Sequence, residues 1–222
     1  MNDNISLDES LVKTGAIAGL TASLIYPLWS FVPLPSTINM LFHFAFGPLV
    51  IVAFIGLNRL IKTLKNTAAL HIATLFGIIA GAFYNLMTIV QSSNLTYIRG
   101  YIRQANDPAT KEAYERILQG VFTVQLGIDV SWDIFITLAT ILFGVTMLKH
   151  PRFGKVLGGL GIIVGLATLV LNLYTFPVPP REAGLVDLGP AVGFWFLVVS
   201  IQMTRSIRWL KVFAKSDTTK EG

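Results

Sequence analysis

The chain is expected to be all-α and to cross a membrane six times, for three reasons. Hydrophobic residues make up 53% of the 222 positions and charged residues only 13%, against about 25% charged in ordinary soluble domains. The apolar residues fall into six runs of spanning length, about 20 residues each: Val12–Val32, Met40–Leu60, Ala69–Val90, Val121–Leu148, Val156–Phe176 and Val186–Ile207. Two carboxylates, Asp129 and Asp133, nevertheless sit inside the fourth run. The six runs fit one compact domain over residues 12–210, preceded by a cytoplasmic segment over 1–11 and followed by a basic tail over 211–222 that is expected to be disordered.

In the first span Gly15, Gly19 and Ser23 recur every four residues, the small-residue pattern that lets helix backbones approach closely in lipid. Pro27 is expected to kink its outer end, and Trp29 and Phe31 suit an interfacial aromatic belt. Pro33–Thr37 is a short, uncharged turn, so the first two spans are antiparallel neighbours. The second span carries His43 about one turn inside, then Gly47 and Pro48, where a local break in helix hydrogen bonding is expected. His71, at the start of the third span, lies at the inner headgroup level, away from His43, so the two cannot share a haem.

Thr74, Gly77, Gly81, Asn85, Thr88 and Ser92 form one stripe of the third span. Helical spacing continues past the membrane through Leu95, Ile98, Ile102 and Ala105. Asp107 and Pro108 are a natural N-cap and first-turn pair for the next helix. The expected result is an extramembrane helical hairpin over about residues 93–120, with charges of both signs on its wet sides, rather than an amphipathic helix lying on lipid. The fourth span then presents Gln125, Asp129, Asp133, Thr137, Thr140 and Gly144 on one face.

Gly158, Gly161, Gly165, Thr168, Asn172 and Thr175 mark the packing face of the fifth span. Its Gly-rich stretch GGLGIIVG lies within an apolar run with no preceding strand, and so reads as helix packing and not as a dinucleotide loop. The Phe176–Leu188 loop is proline-rich and expected to be extended. The sixth span places Gly189, Gly193, Phe196 and Ser200 on one side, and Gln202, Arg205 and Arg208 lead out of it.

Of the 17 Lys and Arg residues, 12 fall at the termini and even-numbered connections, and five, Arg99, Arg103, Lys111, Arg116 and Arg181, on the other side. The positive-inside rule then puts both termini in the cytoplasm and the protein in the cytoplasmic membrane. The net charge of +5 is directed at anionic headgroups, and no nucleic-acid partner is expected. Met1–Ser10 carries Asp3, Asp8 and Glu9 where a signal peptide would be basic, so none is expected. The chain has no cysteine, which removes disulfides, thiolate nucleophiles and sulfur-ligated metals.

A charge facing lipid near the bilayer centre costs on the order of 3 kcal/mol on the lenient insertion scale, so the acidic stripe should face protein or water. Counting about 1.5 Å per residue, Asp129 lies at the outer edge of the hydrocarbon and Asp133 roughly 6 Å deeper, level with His43, Asn85 and Asn172. Asp133, Asp129, His43, Asn85, Gln125 and Asn172 are therefore the candidate ligand-binding residues of a polar pocket that opens outward above a glycine-packed inner half. Against this stand internal pairings: Asp129 with Arg181 or Arg116, Asp133 with Asn85, His43 or the neighbourhood of Trp132, and the two asparagines as bonds between helices. No metal site, cofactor or catalytic residue is assigned, because HExxH, GxSxG and GxxxxGK[ST] are all missing.

IDVSWD, LFGVTMLKHPRFG, LNLYTFPVPPREAGLVDLGP and FWFLVVSIQMTRSIRW, spread over residues 129–208, resemble a family of bacterial integral membrane proteins of about this size described only as uncharacterised. The resemblance implies a six-helix inner-membrane protein and brings no activity, substrate or catalytic residue with it. The leading expectation is a small or lipid-derived ligand bound in the outward pocket, with transport or proton coupling included. The alternatives are an intramembrane enzyme acting on a lipid or isoprenoid with an aspartate as general base, and a non-catalytic assembly or sensor subunit. Membrane lipids are expected partners, and the glycine faces would also serve a homo-oligomer.

Overall fold

The computed structural model describes residues 2–218 and the side chains of residues 8–29 and 31–213. Among the described residues it is all-helical: α1 (Asn2–Phe31), α2 (Ser36–Lys62), α3 (Ala68–Gln104), α4 (Pro108–Met147), α5 (Gly154–Thr175) and α6 (Gly189–Thr218). Five of them, α1 to α5, are long and apolar enough to cross a membrane. The sixth falls short of that standard, because Gln202, Arg205, Arg208 and Lys211 occupy its second half. It still packs within the bundle, burying Val192, Trp195, Val199 and Met203.

Each helix packs on the next in sequence, and α6 returns to pack on α1, closing a ring. Asp8 at the start of α1 pairs with Arg59 near the end of α2 at 3.5 Å, and Glu9 pairs with Lys211 of α6 at 2.8 Å. One end of the ring therefore gathers the start of α1 and the far ends of α2 and α6, and is called here the terminus end. The α3–α4 hairpin forms the opposite end.

Glycine sets the spacing of the ring. A Cβ on Gly15 would come 2.6 Å from the Cα of Gly56, and one on Gly144 would come 2.7 Å from the carbonyl oxygen of Gly158. Gly161 lies under the Trp195 ring, whose Nε1 donates to the Leu157 carbonyl at 2.9 Å. The buried face of α5 is Gly158, Gly161, Gly165, Thr168 and Asn172, the stripe expected from its spacing. These glycines serve contacts inside the bundle. On α6 the expected face is kept at Ser200, which is fully buried, and lost at Gly193, which faces open space while Val192 and Trp195 are buried.

Below the middle of the bundle, Phe54, Phe143 and Phe196 fill the axis, with Phe54 and Phe143 stacked at 5.2 Å and Phe54 and Phe196 at 5.3 Å. Asn58 donates to Thr74 Oγ1 at 2.8 Å across α2 and α3, a polar contact in the inner half that the apolar pattern concealed. The α4–α5 connection is tied to α6: Arg152 donates through Nε to Ser206 Oγ at 3.2 Å and through a terminal nitrogen to the Arg205 carbonyl at 3.1 Å, and Gln202 donates to the Arg152 carbonyl. His150 is buried here, accepting at Nδ1 from the Arg152 amide at 3.2 Å, with Phe153 and Trp209 against its ring. Burial holds its pKa down, to about 4.

Helix α1 stays helical on both sides of Pro27, and α2 on both sides of Pro48, although neither proline can donate to the carbonyl four residues before it. Two other expectations change in detail. The Phe176–Leu188 loop is a chain of tight turns, with the Leu185 amide donating to the Pro180 carbonyl at 2.8 Å and Gly184 at φ 78°; proline fits turn corners as well as extended chain. The tail expected from residue 211 is helical as far as Thr218, continuing the face on which Trp209 stacks on Phe213 at 5.2 Å. Residues 219–222 lie outside the described residues.

At the hairpin end α3 and α4 run to 37 and 40 residues, about 55 and 60 Å at 1.5 Å per residue, well beyond a hydrocarbon core of roughly 30 Å. Asp107 caps α4 by accepting from the Thr110 amide at 2.8 Å, which lowers its pKa, and Tyr101 stacks on Tyr114 at 5.5 Å.

Candidate functional site

The half of the bundle nearer the hairpin is lined by aromatic and polar side chains. Tyr26 and Trp29 come from α1, His43 and Phe46 from α2, Tyr84 and Asn85 from α3, and Asp129, Trp132 and Asp133 from α4. The rings form a connected set: Phe46 lies 5.8 Å from Tyr26, 4.6 Å from Tyr84 and 6.2 Å from Trp132, and Tyr84 lies 5.2 Å from Trp132. Trp29 lies 4.2 Å from His43, so it turns into this set and not out to a lipid belt.

Helix register explains the grouping. Gly47 approaches Gly81 and Asn85, which fixes α3 against α2, and Gly165 approaches Thr137 and Ile141, which fixes α5 against α4. Carried along the antiparallel pair, the second register sets Asn172 level with the Val130–Ile134 stretch. Asp129 and Asp133 are each half-buried, at the edge of a face whose centre is Val130, Thr137 and Thr140. Among the described residues neither carboxylate has a hydrogen bond or ion pair. The Arg116 and Arg181 partners considered from sequence are elsewhere: Arg116 pairs with Glu112 at 2.7 Å on the hairpin, and Arg181 is exposed. Asp187, from the α5–α6 loop, is within electrostatic reach of both acids and of Tyr26, while its Oδ1 accepts from the Gly189 amide at 2.8 Å at the start of α6.

Seven buried polar atoms have no hydrogen-bond partner among the described residues: Trp29 Nε1, Asn39 Oδ1, His43 Nδ1, Tyr84 Oη, Asn85 Oδ1 and Gln125 Oε1 in this half of the bundle, and His150 Nε2 at the terminus end. Tyr84 is only 4% exposed, and its hydroxyl is within electrostatic reach of Asp129 and Tyr26. A buried polar group left unpaired is costly, more so in lipid. Six of the seven fall in the half of the bundle that holds the two acids.

The sequence-predicted residues thus divide. Asp129, Asp133, His43 and Asn85 come together. Asn172 is buried beside them, but its amide nitrogen donates within its own helix to the Thr168 carbonyl at 3.0 Å. Neither it nor Asn85 makes the bond between helices weighed from sequence. Gln125 lies one turn nearer the hairpin, in a hollow of about 260 Å³ lined by Gln91, Phe122, Gln125, Leu126 and Glu182. A second hollow of about 180 Å³, lined by Ile79, Ala82, Phe83 and Leu86, is apolar and lies on the flank of α3. No group of three His, Cys, Asp or Glu side chains able to share a metal occurs among the described residues.

Tyr26, Tyr84 and Asp187 are not among the residues the sequence points to, and Trp132 enters there only as the neighbourhood of Asp133. A signal existed for Tyr84, which continues the 3- and 4-residue steps of Gly77, Gly81 and Thr88; the aromatic positions otherwise read equally well as core or belt.

No curated protein and no solved structure matches the chain. The DUF4386 family, a domain of unknown function, matches residues 33–210, a wider span than the 129–208 stretch that carried the resemblance. The match takes in the whole of α2 to α5 and α6 as far as Leu210, and the chain belongs to the DUF4386 family.

Proposed function

We propose that the protein is a multi-pass protein of the cytoplasmic membrane, with both termini in the cytoplasm and the hairpin outside, and that its outer-half chamber binds a small or lipid-derived ligand. In this reading Asp133 and Asp129 anchor the ligand, Tyr84, Asn85 and His43 complete its hydrogen bonds, Gln125 stands at the mouth, and Asn172 forms part of the wall. The 12-to-five division of Lys and Arg supports the orientation. The two ion pairs that gather the start of α1 and the far ends of α2 and α6 agree with it.

One observation carries the proposal: unpartnered buried polar atoms from four helices share one half of the bundle with two carboxylates that, among the described residues, have no ion pair. Asparagine can find partners in a helix backbone or a neighbouring side chain, as Asn172 and Asn58 do. Six such atoms left open together are what a site prepared for a bound molecule requires.

The test is native mass spectrometry of the protein extracted with its lipids, beside the Asp133→Asn variant. A ligand retained by the wild type and lost in the variant is expected. Absence of any retained molecule, with no change in thermal stability between the two proteins, would refute the proposal.

A further inference from the structure

We infer that the ligand of this chamber is a protonated amine that keeps N–H groups, admitted past Gln125 and Glu182 and held by Asp129 and Asp133 against Tyr84 and the ring faces of Phe46 and Trp132; the inference rests on the chamber proposed above. The complement of the lining decides the class. A carboxylate that meets a cation, Asn85 Oδ1 and Gln125 Oε1 only accept hydrogen bonds, the Tyr84 hydroxyl and His43 Nδ1 can do either, and Trp29 Nε1 alone must donate. A molecule that satisfies this set is rich in donors.

Charge narrows it further. No Lys or Arg enters the chamber: Arg99, Arg103, Lys111, Arg116 and Arg181 are all exposed. An anion would meet Asp129, Asp133 and Asp187 with nothing to offset them. A cation meets carboxylates beside a packed group of rings, Phe46, Tyr84 and Trp132, with neighbouring centroids 4.6–6.2 Å apart, and a ring face that it reaches attracts positive charge. The metal alternative lacks a cluster of three ligands among the described residues.

A quaternary ammonium would satisfy the rings and the charge but offers no hydrogen to Asn85, Gln125 or Tyr84, and a site built to hydrogen-bond its ligand discriminates strongly against an analogue without the donors. Access follows the acids. Glu182 lines the 260 Å³ hollow with Gln125, and Asp129 and Asp133 follow at one and two turns along α4, so each step inward meets another acceptor.

Such an amine has two sources, a soluble molecule or the headgroup of phosphatidylethanolamine, and one experiment separates them. The full-length protein is placed in phosphatidylcholine nanodiscs, and the thermal midpoint and tryptophan fluorescence are followed with n-butylamine, butyltrimethylammonium, butanol and butyrate. Butylamine is expected to bind at least tenfold more tightly than butyltrimethylammonium, with butanol and butyrate inert at the same concentration and Asp133→Asn lowering butylamine affinity at least tenfold. In parallel, phosphatidylethanolamine replaces part of the phosphatidylcholine: stabilisation by this lipid alone assigns the headgroup, and stabilisation by butylamine alone assigns a soluble amine.

Equal binding of the primary and quaternary ions would remove the N–H requirement, and equal binding of butanol or butyrate would remove the cation. No response to either amine source overturns the inference. If mass spectrometry then finds a retained molecule without an amine that Asp133→Asn loses, the chamber stands and its ligand class is wrong; if nothing is retained, both fall. The ligand series is read on the wild-type protein, so failure of a variant to fold leaves it decisive.

Discussion

Replacing Gly158 by alanine tests whether α4 and α5 meet backbone to backbone. The new Cβ would stand 2.7 Å from the Gly144 carbonyl oxygen and 3.0 Å from the Leu148 amide nitrogen, short of ordinary contact by roughly 0.7 Å or more. Both obstacles are main-chain atoms and cannot swing aside as a side-chain tip would, so the helices must part. Overpacking of this kind costs about 1–3 kcal/mol. Gly159, the next residue, is the control: a Cβ there meets nothing within 4 Å, and alanine is the better helix former by about 0.5–1 kcal/mol. Both positions lie inside α5 and share that helix preference, so the adjacent substitutions should differ by the overpacking cost alone, about 1–3 kcal/mol, with Gly158→Ala the less stable. Unfolding in mixed micelles by titration with dodecyl sulfate, followed by circular dichroism, measures the difference. The reciprocal Gly144→Ala places a Cβ 2.7 Å from the Gly158 carbonyl, and the gap needed by one alanine accommodates the other, so the double variant should lose less than the two single losses together. A neutral Gly158→Ala, a Gly159→Ala equally harmful, or full additivity would refute the packing argument.

Tyr84→Phe removes a buried hydroxyl that has no partner, so in ligand-free protein stability should hold or rise by up to about 1–3 kcal/mol; a loss larger than 1 kcal/mol on the same titration would reveal a partner. His150 titrates near 6.5 when unfolded and near 4 when folded, so the unfolded chain takes up the proton first on acidification. Its share of stability is intact above about pH 6.5 and drains away as pH falls toward 4. His150→Asn, which keeps an acceptor for the Arg152 amide, should flatten that slope between pH 7 and 5, and an unchanged slope would count against it. Asn58→Ala breaks the bond to Thr74 and should cost about 0.6 kcal/mol, the average for such contacts between membrane helices; a double-mutant cycle with Thr74→Val that gives no coupling would dismiss the bond.

Features written in side-chain size were readable before the fold was seen. Glycine every three or four residues on α5 announces its contact face directly, because only small residues let backbones touch in lipid. Asp107 before Pro108 announces the start of α4 for an equally local reason. Features that depend on how neighbouring helices are matched were not readable. Trp29 suits a belt by its type and packs on the His43 ring only because of the α1–α2 register. Tyr84, one position from the expected Asn85, holds the more buried place because helix rotation, not polarity, decides which neighbour faces inward. Asn58 stands next to Arg59 at the end of its apolar run, and its bond to Thr74 depends on how α2 and α3 are matched. The acids were visible as anomalies in an apolar run, but whether they had partners was a question only coordinates could answer.

The ring closes between α6 and α1, where a Cβ on Gly19 would run into the Ser200 hydroxyl. The chain emerges in order, so the helix made first must wait for the helix made last. Until α6 packs, the flank of α1 that carries Gly19 is uncovered. The family match begins at residue 33, just beyond this stave. A chain halted before Gly189 would leave the ring open between α5 and α1, and α6 is the helix that closes it.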